Sequence, residues 1–271
     1  MPEDRGEPSG PARLGEMRLT VLGKSPAWSD AGGACSGYLV EHDERCMLLD
    51  CGNGVFGKLR ERRDYREVEA VVISHLHGDH VLDLAPFAYA LTLAPGAAER
   101  DGKPRLHAPA GADAFFRRLA GTWEDEMLIV DAFAIEEYEP LDRIEVAGVT
   151  VRLHPVHHFG ATHAVELISP EGGRIVFGAD GRYSEELIAA AKGAEVLIAE
   201  ATLPEPEAKP LEQRGHMSAG EAGQVAARAG VGRLVLTHIS DELDGDRSLA
   251  EARSAFGGPA ELAREGASFE V

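Results

Sequence analysis

The sequence predicts an α/β fold, a sandwich of two mixed β-sheets with helices on the outside. Three observations lead there. Short apolar runs of strand length are separated by Gly- and Asp-rich turns. Helical stretches stand between blocks of strands instead of following every strand. Two strand-rich blocks each close in helices. With 271 residues, 44% of them hydrophobic and 27% charged, the chain has an ordinary globular balance and can bury a full core.

Taken in order, the stretch up to about Gly15 is acidic and rich in Pro and Gly, so a disordered leader is expected there. It lacks the apolar segment of a secretory signal. Residues 16–271 read as one domain, since no Pro-rich or Gly/Ser linker divides them. MRLTVLG, SGYLVEH and CMLLD are strand-like, and the last runs into the turn Asp50-Cys51-Gly52-Asn53-Gly54 before a helix over VFGKLRERR. EAVVIS reads as a buried strand. LDLAPFAYALTLA has helical length, PRLHAP is a short strand, and ADAFFRRLAG is a helix ended by Gly121. From Glu124 to Tyr138 no pattern stands out. The second strand block comprises DRIEVAGVTVRLHPV, HAVELIS and GRIVFGAD, with hairpin signals at Ala147-Gly148 and Glu171-Gly172-Gly173. Helix and strand then alternate through SEELIAAAKG, EVLIAEA, SAGEAGQVAARAG, RLVLTHIS and LAEARSAF to a short terminal strand.

The 27 basic and 46 acidic residues leave a net charge of −19, which argues against nucleic acid as a bulk partner. A dimer that builds a basic groove from Arg117, Arg118 and Arg214 is the alternative. No apolar run approaches membrane-spanning length. Cys35, Cys46 and Cys51 are an odd number, so no disulfide framework is expected and a cytoplasmic location fits.

The chemistry concentrates in His75-Leu76-His77-Gly78-Asp79-His80, between a strand and a helix. On a strand, residues two apart share a face, so His75 and His77 are expected to grip one metal. Gly78 would permit a sharp turn that lets Asp79 and His80 address a second. The alternative, Asp79 as a helix N-cap with solvated loop histidines, leaves the crowding of imidazoles unexplained. Of the 11 histidines, His157, His158 and His238 stand at the ends of apolar strand runs, as does Asp180. Strand ends at a sheet edge can present ligands.

These segments, with HHFGATHAVEL, FGAD, LIAEAT and GHMSAGEAG, resemble the metallo-β-lactamase superfamily and within it the ribonuclease Z-like and small phosphodiesterase-like branch. The resemblance runs from about Met17 onward. It implies a four-layer αββα sandwich, with His75, His77 and His158 on a first metal, Asp79, His80 and His238 on a second, and Asp180 bridging both. His158 suits the family spacing better than His157, because several loop residues would then precede HAVEL. Where relatives have Gly-Asp-Thr this chain has Ala179-Asp180-Gly181, which loses a hydroxyl that could orient the carboxylate. Asp50 and Glu200 are expected as supports beneath the metals, although Asp50 reads equally as a turn residue. His216 is expected near the substrate, as a proton or hydrogen-bond donor. Ser218 and Glu221 beside it form a capping-box signal. His42, His107, His154 and His163 read as surface, turn or core residues, with His107 or His163 as candidates for the cleft wall.

The resemblance implies two divalent ions, zinc by the nitrogen-rich ligands, with manganese or iron compatible with the carboxylates. Asp79 would serve both as ligand and in catalysis, and a metal-bridging hydroxide would attack the substrate. Small phosphodiesters are the expected substrates. Lactones, thioesters or other non-phosphate esters are the alternative, as is ribonuclease Z-type RNA processing; a non-enzymatic metal-binding subunit ranks last.

Overall fold

The computed structural model describes residues 15–97 and 101–271. Apart from Gly15, the expected leader lies outside the described residues.

The first half runs β1 (Met17–Gly23), β2 (Gly37–His42), β3 (Arg45–Leu49), α1 (Val55–Arg60), β4 (Val68–Val72), α2 (Gly78–Val81), α3 (Leu84–Leu93), β5 (Arg105–Pro109), α4 (Ala112–Gly121), α5 (Leu128–Ala132) and β6 (Ala134–Tyr138). The second runs β7 (Arg143–Val146), β8 (Val149–His158), β9 (Gly160–Ile168), β10 (Arg174–Phe177), α6 (Glu185–Ala191), β11 (Val196–Glu200), α7 (Ala219–Ala229), β12 (Arg233–Thr237), α8 (Gly245–Phe256), β13 (Ala260–Leu262) and β14 (Ser268–Glu270).

The strands form two seven-stranded sheets, in the orders β14-β1-β2-β3-β4-β5-β6 and β13-β12-β11-β10-β9-β8-β7. The terminal strand crosses to the first sheet, where Glu270 pairs with Arg18. Both sheets change character along their width. From β14 to β3 the first is antiparallel and from β3 to β6 parallel. The second is antiparallel from β7 to β10 and parallel from there to β13. The chain can reverse by tight hairpins in the antiparallel part, and it needs crossover helices in the parallel part. Ala147 and Gly148 both take positive φ, which closes the β7–β8 hairpin in two residues.

Burial divides into three layers. Leu19, Met47 and Val72 of the first sheet meet Val151, Leu167 and Ile198 of the second in a central core. Leu48, Val71 and Leu106 turn the other way, onto Val55, Phe87 and Phe116 of the helices. On the far side Leu197 and Leu236 pack against Leu187, Val225 and Ala252. The result is the expected αββα sandwich. Strands covered on both faces need apolar residues on both, which is why CMLL of β3 and VLIA of β11 lack polar alternation, whereas β1 carries Arg18 and Thr20 on one face, paired with Glu270 and Ser268 of β14.

Several sequence readings shift. Gly121 is the last residue of α4 and not its terminator. The unread stretch from Glu124 to Tyr138 holds α5 and β6, one five residues long and the other largely exposed, so neither carries a strong periodic signal. β9 starts at Gly160, three residues ahead of the run HAVELIS. Cys35, Cys46 and Cys51 are free and buried. Among the described residues no helix is long and apolar enough to cross a membrane.

Tyr38 fastens the two sheets to each other. Its hydroxyl lies 2.7 Å from Thr237 Oγ1 and its ring centroid 4.9 Å from that of Phe177. Tyr38→Phe is expected to cost about 1 kcal/mol, the scale of one net hydrogen bond. Tyr38→Ala is expected to cost about 3–5 kcal/mol through the cavity left between the sheets. Urea unfolding of the two variants measures both; equal losses would mean that the ring contributes nothing beyond the hydroxyl.

Candidate metal centre

The ends of β4, β8, β10, β11 and β12 reach one edge of the sandwich, and the residues just there or just beyond are His75, His158, Asp180, Glu200 and His238. His75 and His77 do not lie on a strand. β4 ends at Val72, and the two histidines occupy the loop before α2. Strand alternation is therefore not what aligns them. Gly78 opens α2 with helical backbone, and a Cβ there would meet only the Leu82 side chain, at 3.3 Å. His77, not Asp79, is the N-cap, and Asp79 points from the first turn.

The loop is held from beneath. Cys51 N donates to His80 O at 2.8 Å and Asp83 N to Cys51 O at 3.1 Å. Gly52 allows this approach, because a Cβ on it would fall 1.9 Å from Asp79 O. The buried Asp50 carboxylate accepts from Ser74 N at 2.7 Å and Ser74 Oγ at 2.8 Å, and lies 2.7 Å from His80 Nδ1. Ser74 Oγ is also 3.1 Å from His75 Nδ1.

Two donor sets result. In the first, His77 Nδ1 lies 3.2 Å from His75 Nε2 and 3.0 Å from His158 Nε2. Asp180 Oδ2 stands 3.8 Å from His75 Nε2 and 3.9 Å from His158 Nε2. In the second, Asp79 Oδ2 is 3.6 Å from His80 Nε2 and 3.1 Å from His238 Nε2. Asp180 joins this set too, with Oδ1 3.3 Å from His80 Nε2 and Oδ2 3.4 Å from His238 Nε2. Glu200, His216 and His238 make a third group whose ligand atoms lie within 4.8 Å of one another.

The donors fit divalent cations. His80 Nε2 is buried without a hydrogen-bond partner, turned toward Asp79 and Asp180. Nitrogen and carboxylate donors with one carboxylate common to both sets suit a pair of such ions. Burial and the neighbouring His80 push the His75 imidazole well below its ordinary pKa, and burial lowers that of His158, so each keeps a lone pair for a cation. Burial would raise the Asp180 carboxyl, but His238 and His80 hold it well below the carboxylate range.

The second ring nitrogens of His158 and His238 are steered by further partners. His158 Nδ1 donates to Gly215 O at 2.7 Å, and His238 Nδ1 lies 2.8 Å from Thr202 Oγ1. Thr202 donates in turn to Glu200 Oε2 at 2.5 Å. Glu200 is fully buried, accepts from Gly181 N at 2.6 Å and Met217 N at 3.3 Å, and lies 3.0 Å from His216 Nδ1. The backbone just after Asp180 is thus steadied through Gly181 N. A Cβ on Gly181 would sit 3.1 Å from His157 O. Asp50, Ala179 and His238 are non-glycine residues with φ of 58°, 53° and 52°, so three of the seven such residues among those described lie at this edge.

The distinction between His157 and His158 comes from the hairpin and not from a loop. β8 and β9 pair down to His158↔Gly160, with Phe159 as the tip. Alternation then leaves His157 exposed and turns His158 toward His77. His107 and His163 are buried away from both donor sets, His163 beside Tyr138 at a ring distance of 5.1 Å. Sequence reading missed Ser74 and Thr202, hydroxyls placed next to a ligand and two residues past a strand-end glutamate. A cleft of about 150 Å³ opens over the donors, walled by Trp28, Phe159, Thr202 and His216.

The sequence profile of the β-lactamase superfamily domain matches residues 45–239. The chain belongs to the β-lactamase superfamily. A Mycobacterium tuberculosis protein, Rv1339, is 30% identical over 261 residues, which cover 94% of this chain and 92% of that one. The Bacillus subtilis protein YhfI, named a probable metallo-hydrolase, is 27% identical and covers 94% of this chain and all of its own length (100%). The crystal structure of YhfI, described as a metallo-β-lactamase fold protein, superposes with a TM-score of 0.82 at 25% identity, covering 94% of this chain and 99% of that chain. A ribonuclease Z of Haloferax volcanii is 28% identical over 94% of this chain and 95% of its own.

His158→Ala is expected to lower metal retention by more than about tenfold, since it removes a donor whose mere outer partners are worth 10–100-fold in such sites. His157→Ala is expected to leave retention unchanged. Metal content after dialysis against a graded chelator series separates the two; equal losses would overturn the alternation argument.

Proposed function

We propose that the chain is a metal-dependent hydrolase of small phosphodiesters. The observation that carries this reading is Asp180, one buried carboxylate within 4 Å of imidazoles from both donor sets, at the floor of an open cleft. His75, His77, His158 and Asp180 would hold one ion, and Asp79, His80, His238 and Asp180 the other. Zinc suits the nitrogen-rich donors; manganese or iron would also be accepted by the carboxylates. Such ions would supply a water of lowered pKa and a positive field for charge developing on the substrate.

The protein's own groups divide the remaining work. His216 stands on the cleft wall with ring centroids 4.8 Å from His158 and 5.8 Å from His238. Its Nδ1 is engaged by Glu200, which leaves Nε2 for the substrate. Burial opposes its charge, but the Glu200 contact and the Asp180 and Asp79 carboxylates raise its pKa to about 9. A protonated imidazole so placed would donate to a phosphate oxygen or to the leaving oxygen. Asp79 also lines the cleft and would take a proton from the attacking water.

Large RNA is disfavoured as substrate. The stretch from α4 to His158 is filled by α5, β6, β7 and β8, with no inserted arm. Arg117 pairs with Asp113 and Arg214 with Glu221, so two of the basic residues considered for a groove are already neutralised. The net charge of −19 adds repulsion. The named relatives support the hydrolase class, and ribonuclease Z among them supports phosphodiester chemistry.

Purified protein is expected to carry about two divalent ions and to hydrolyse bis(p-nitrophenyl) phosphate in preference to lactones, nitrocefin and precursor transfer RNA. Asp180→Ala is expected to abolish turnover and release metal. Elemental analysis with steady-state kinetics checks this. Turnover undiminished at zero metal, or efficient trimming of the transfer RNA, would overturn it.

His216→Gln is expected to keep its metal and lose about 10²–10⁴-fold in kcat, the range of a general acid, with the greater loss on diesters of poorly leaving alcohols. An equal loss for good and poor leaving groups would assign His216 to phosphate binding only.

A further inference from the structure

The two aromatic side chains that wall the cleft are exposed, Trp28 by 53% and Phe159 by 56%. Large apolar surface left in water over a cluster of histidines and carboxylates calls for a reason. Neither side chain is there by looseness of the chain. Trp28 lies in the loop between β1 and β2, and that loop is laced to the segment following His238. Lys24 Nζ donates to Ile239 O at 2.9 Å, Ile239 N to Lys24 O at 3.2 Å, and Asp241 N to Asp30 Oδ1 at 3.0 Å. Within the loop, Asp30 N donates to Ser25 Oγ at 3.1 Å and Gly33 N to Asp30 O at 2.9 Å.

Phe159 comes from the other half of the molecule, as the tip of the β8–β9 hairpin. Its ring rests on Gly215, where a Cβ would fall 2.1 Å from Cε2. The Gly215 carbonyl meanwhile fixes His158. One glycine therefore seats the aromatic ring and orients the ligand beside it.

The charge of the cleft narrows what it can accept. Among the described residues its lining contains no lysine or arginine. Beyond the metal positions, only His216 is a cationic partner for phosphate. One diester phosphate is served by such a site; a polyphosphate or a run of backbone phosphates would bring charges that meet no basic side chain.

We propose that Trp28 and Phe159 are specificity-determining residues that hold a planar ring of the substrate, so that the diesters accepted carry one phosphate and one aromatic group. Aromatic faces attract flat rings through stacking that saturated rings of similar size cannot match. This inference rests on the phosphodiester reading of the site.

The test compares two monoanionic phosphonates that differ only in ring flatness, methyl phenylphosphonate and methyl cyclohexylphosphonate, as competitive inhibitors of bis(p-nitrophenyl) phosphate turnover. The phenyl compound is expected to bind about tenfold more tightly, within the range of one stacking contact. In Trp28→Leu or Phe159→Leu, with metal content verified, the ratio is expected to fall toward one, and Trp28→Tyr is expected to restore it. A purely structural role would weaken both inhibitors alike. The chain has 2 tryptophans, so Trp123→Phe leaves Trp28 as the sole reporter, and its emission is expected to respond to the phenyl and not the cyclohexyl compound. Diester hydrolysis with equal inhibition constants and a silent Trp28 would overturn the inference while leaving the proposed function intact. A selective Trp28 response without hydrolysis of any diester would overturn the proposed function while the ring-binding role stands.

Discussion

The shared carboxylate of Asp180 is the constraint around which the molecule is organised. Its two oxygens face imidazoles of His75, His158, His80 and His238 at 3.3–3.9 Å, in a position 2% exposed. Drawing this many polar donors out of water is costly unless each is paired or bound to a cation. Their second nitrogens are accordingly occupied. Asp50 and Glu200 act as two buried hubs, one in each half, that take hydrogen bonds from the backbone and steer the ligands above them. The left-handed backbone at Asp50, Ala179 and His238 is a cost of about 1–3 kcal/mol per residue accepted at this edge so that the side chains converge.

The fold supplies the convergence through the arrangement of its sheets. Each sheet passes from antiparallel to parallel pairing, so β3 and β4 in one and β8, β10, β11 and β12 in the other end at the same edge. Tyr38 ties the halves directly beneath, through Thr237, the residue before His238. Packing between the sheets and placement of a metal donor therefore share a strand end. The same edge carries the cleft, because loops from both halves meet there: the one bearing Trp28 and the hairpin tip bearing Phe159.

The surface and the cleft differ in what they select. The acidic surface discourages polyanions at a distance. The cleft itself is lined by the donors at its floor, by His216 and by the rings of Trp28 and Phe159. On the proposed reading, compact anions with a flat apolar part suit such a wall, whereas a long strand of RNA would meet Arg117 and Arg214 already paired with Asp113 and Glu221.

Much of the fold, and which histidines and aspartates would come together, was legible in the sequence. Fully apolar strands bounded by turns announce sheets covered on both faces, and His, Asp and Glu at the ends of such strands have few structural reasons to be there. Short or exposed elements, α5, β6 and β13, gave no such signal, because five residues or fewer cannot display a period. The capping box of Ser218 and Glu221 was readable because both its hydrogen bonds are local. What depends on distant partners was not. His158 faces the donors and His157 the solvent because β8 and β9 pair to the very tip, and His75 and His77 meet in a loop held down by Cys51 and Gly52. The roles of Glu200 and Thr202 appear only once β11 lies beside β12, and the seat of Phe159 only once Gly215 passes beneath it. Composition and periodicity determine which residues must be buried or presented at an edge. Which of them touch is decided by tertiary packing, since contacts at ångström range are made between segments far apart in the chain.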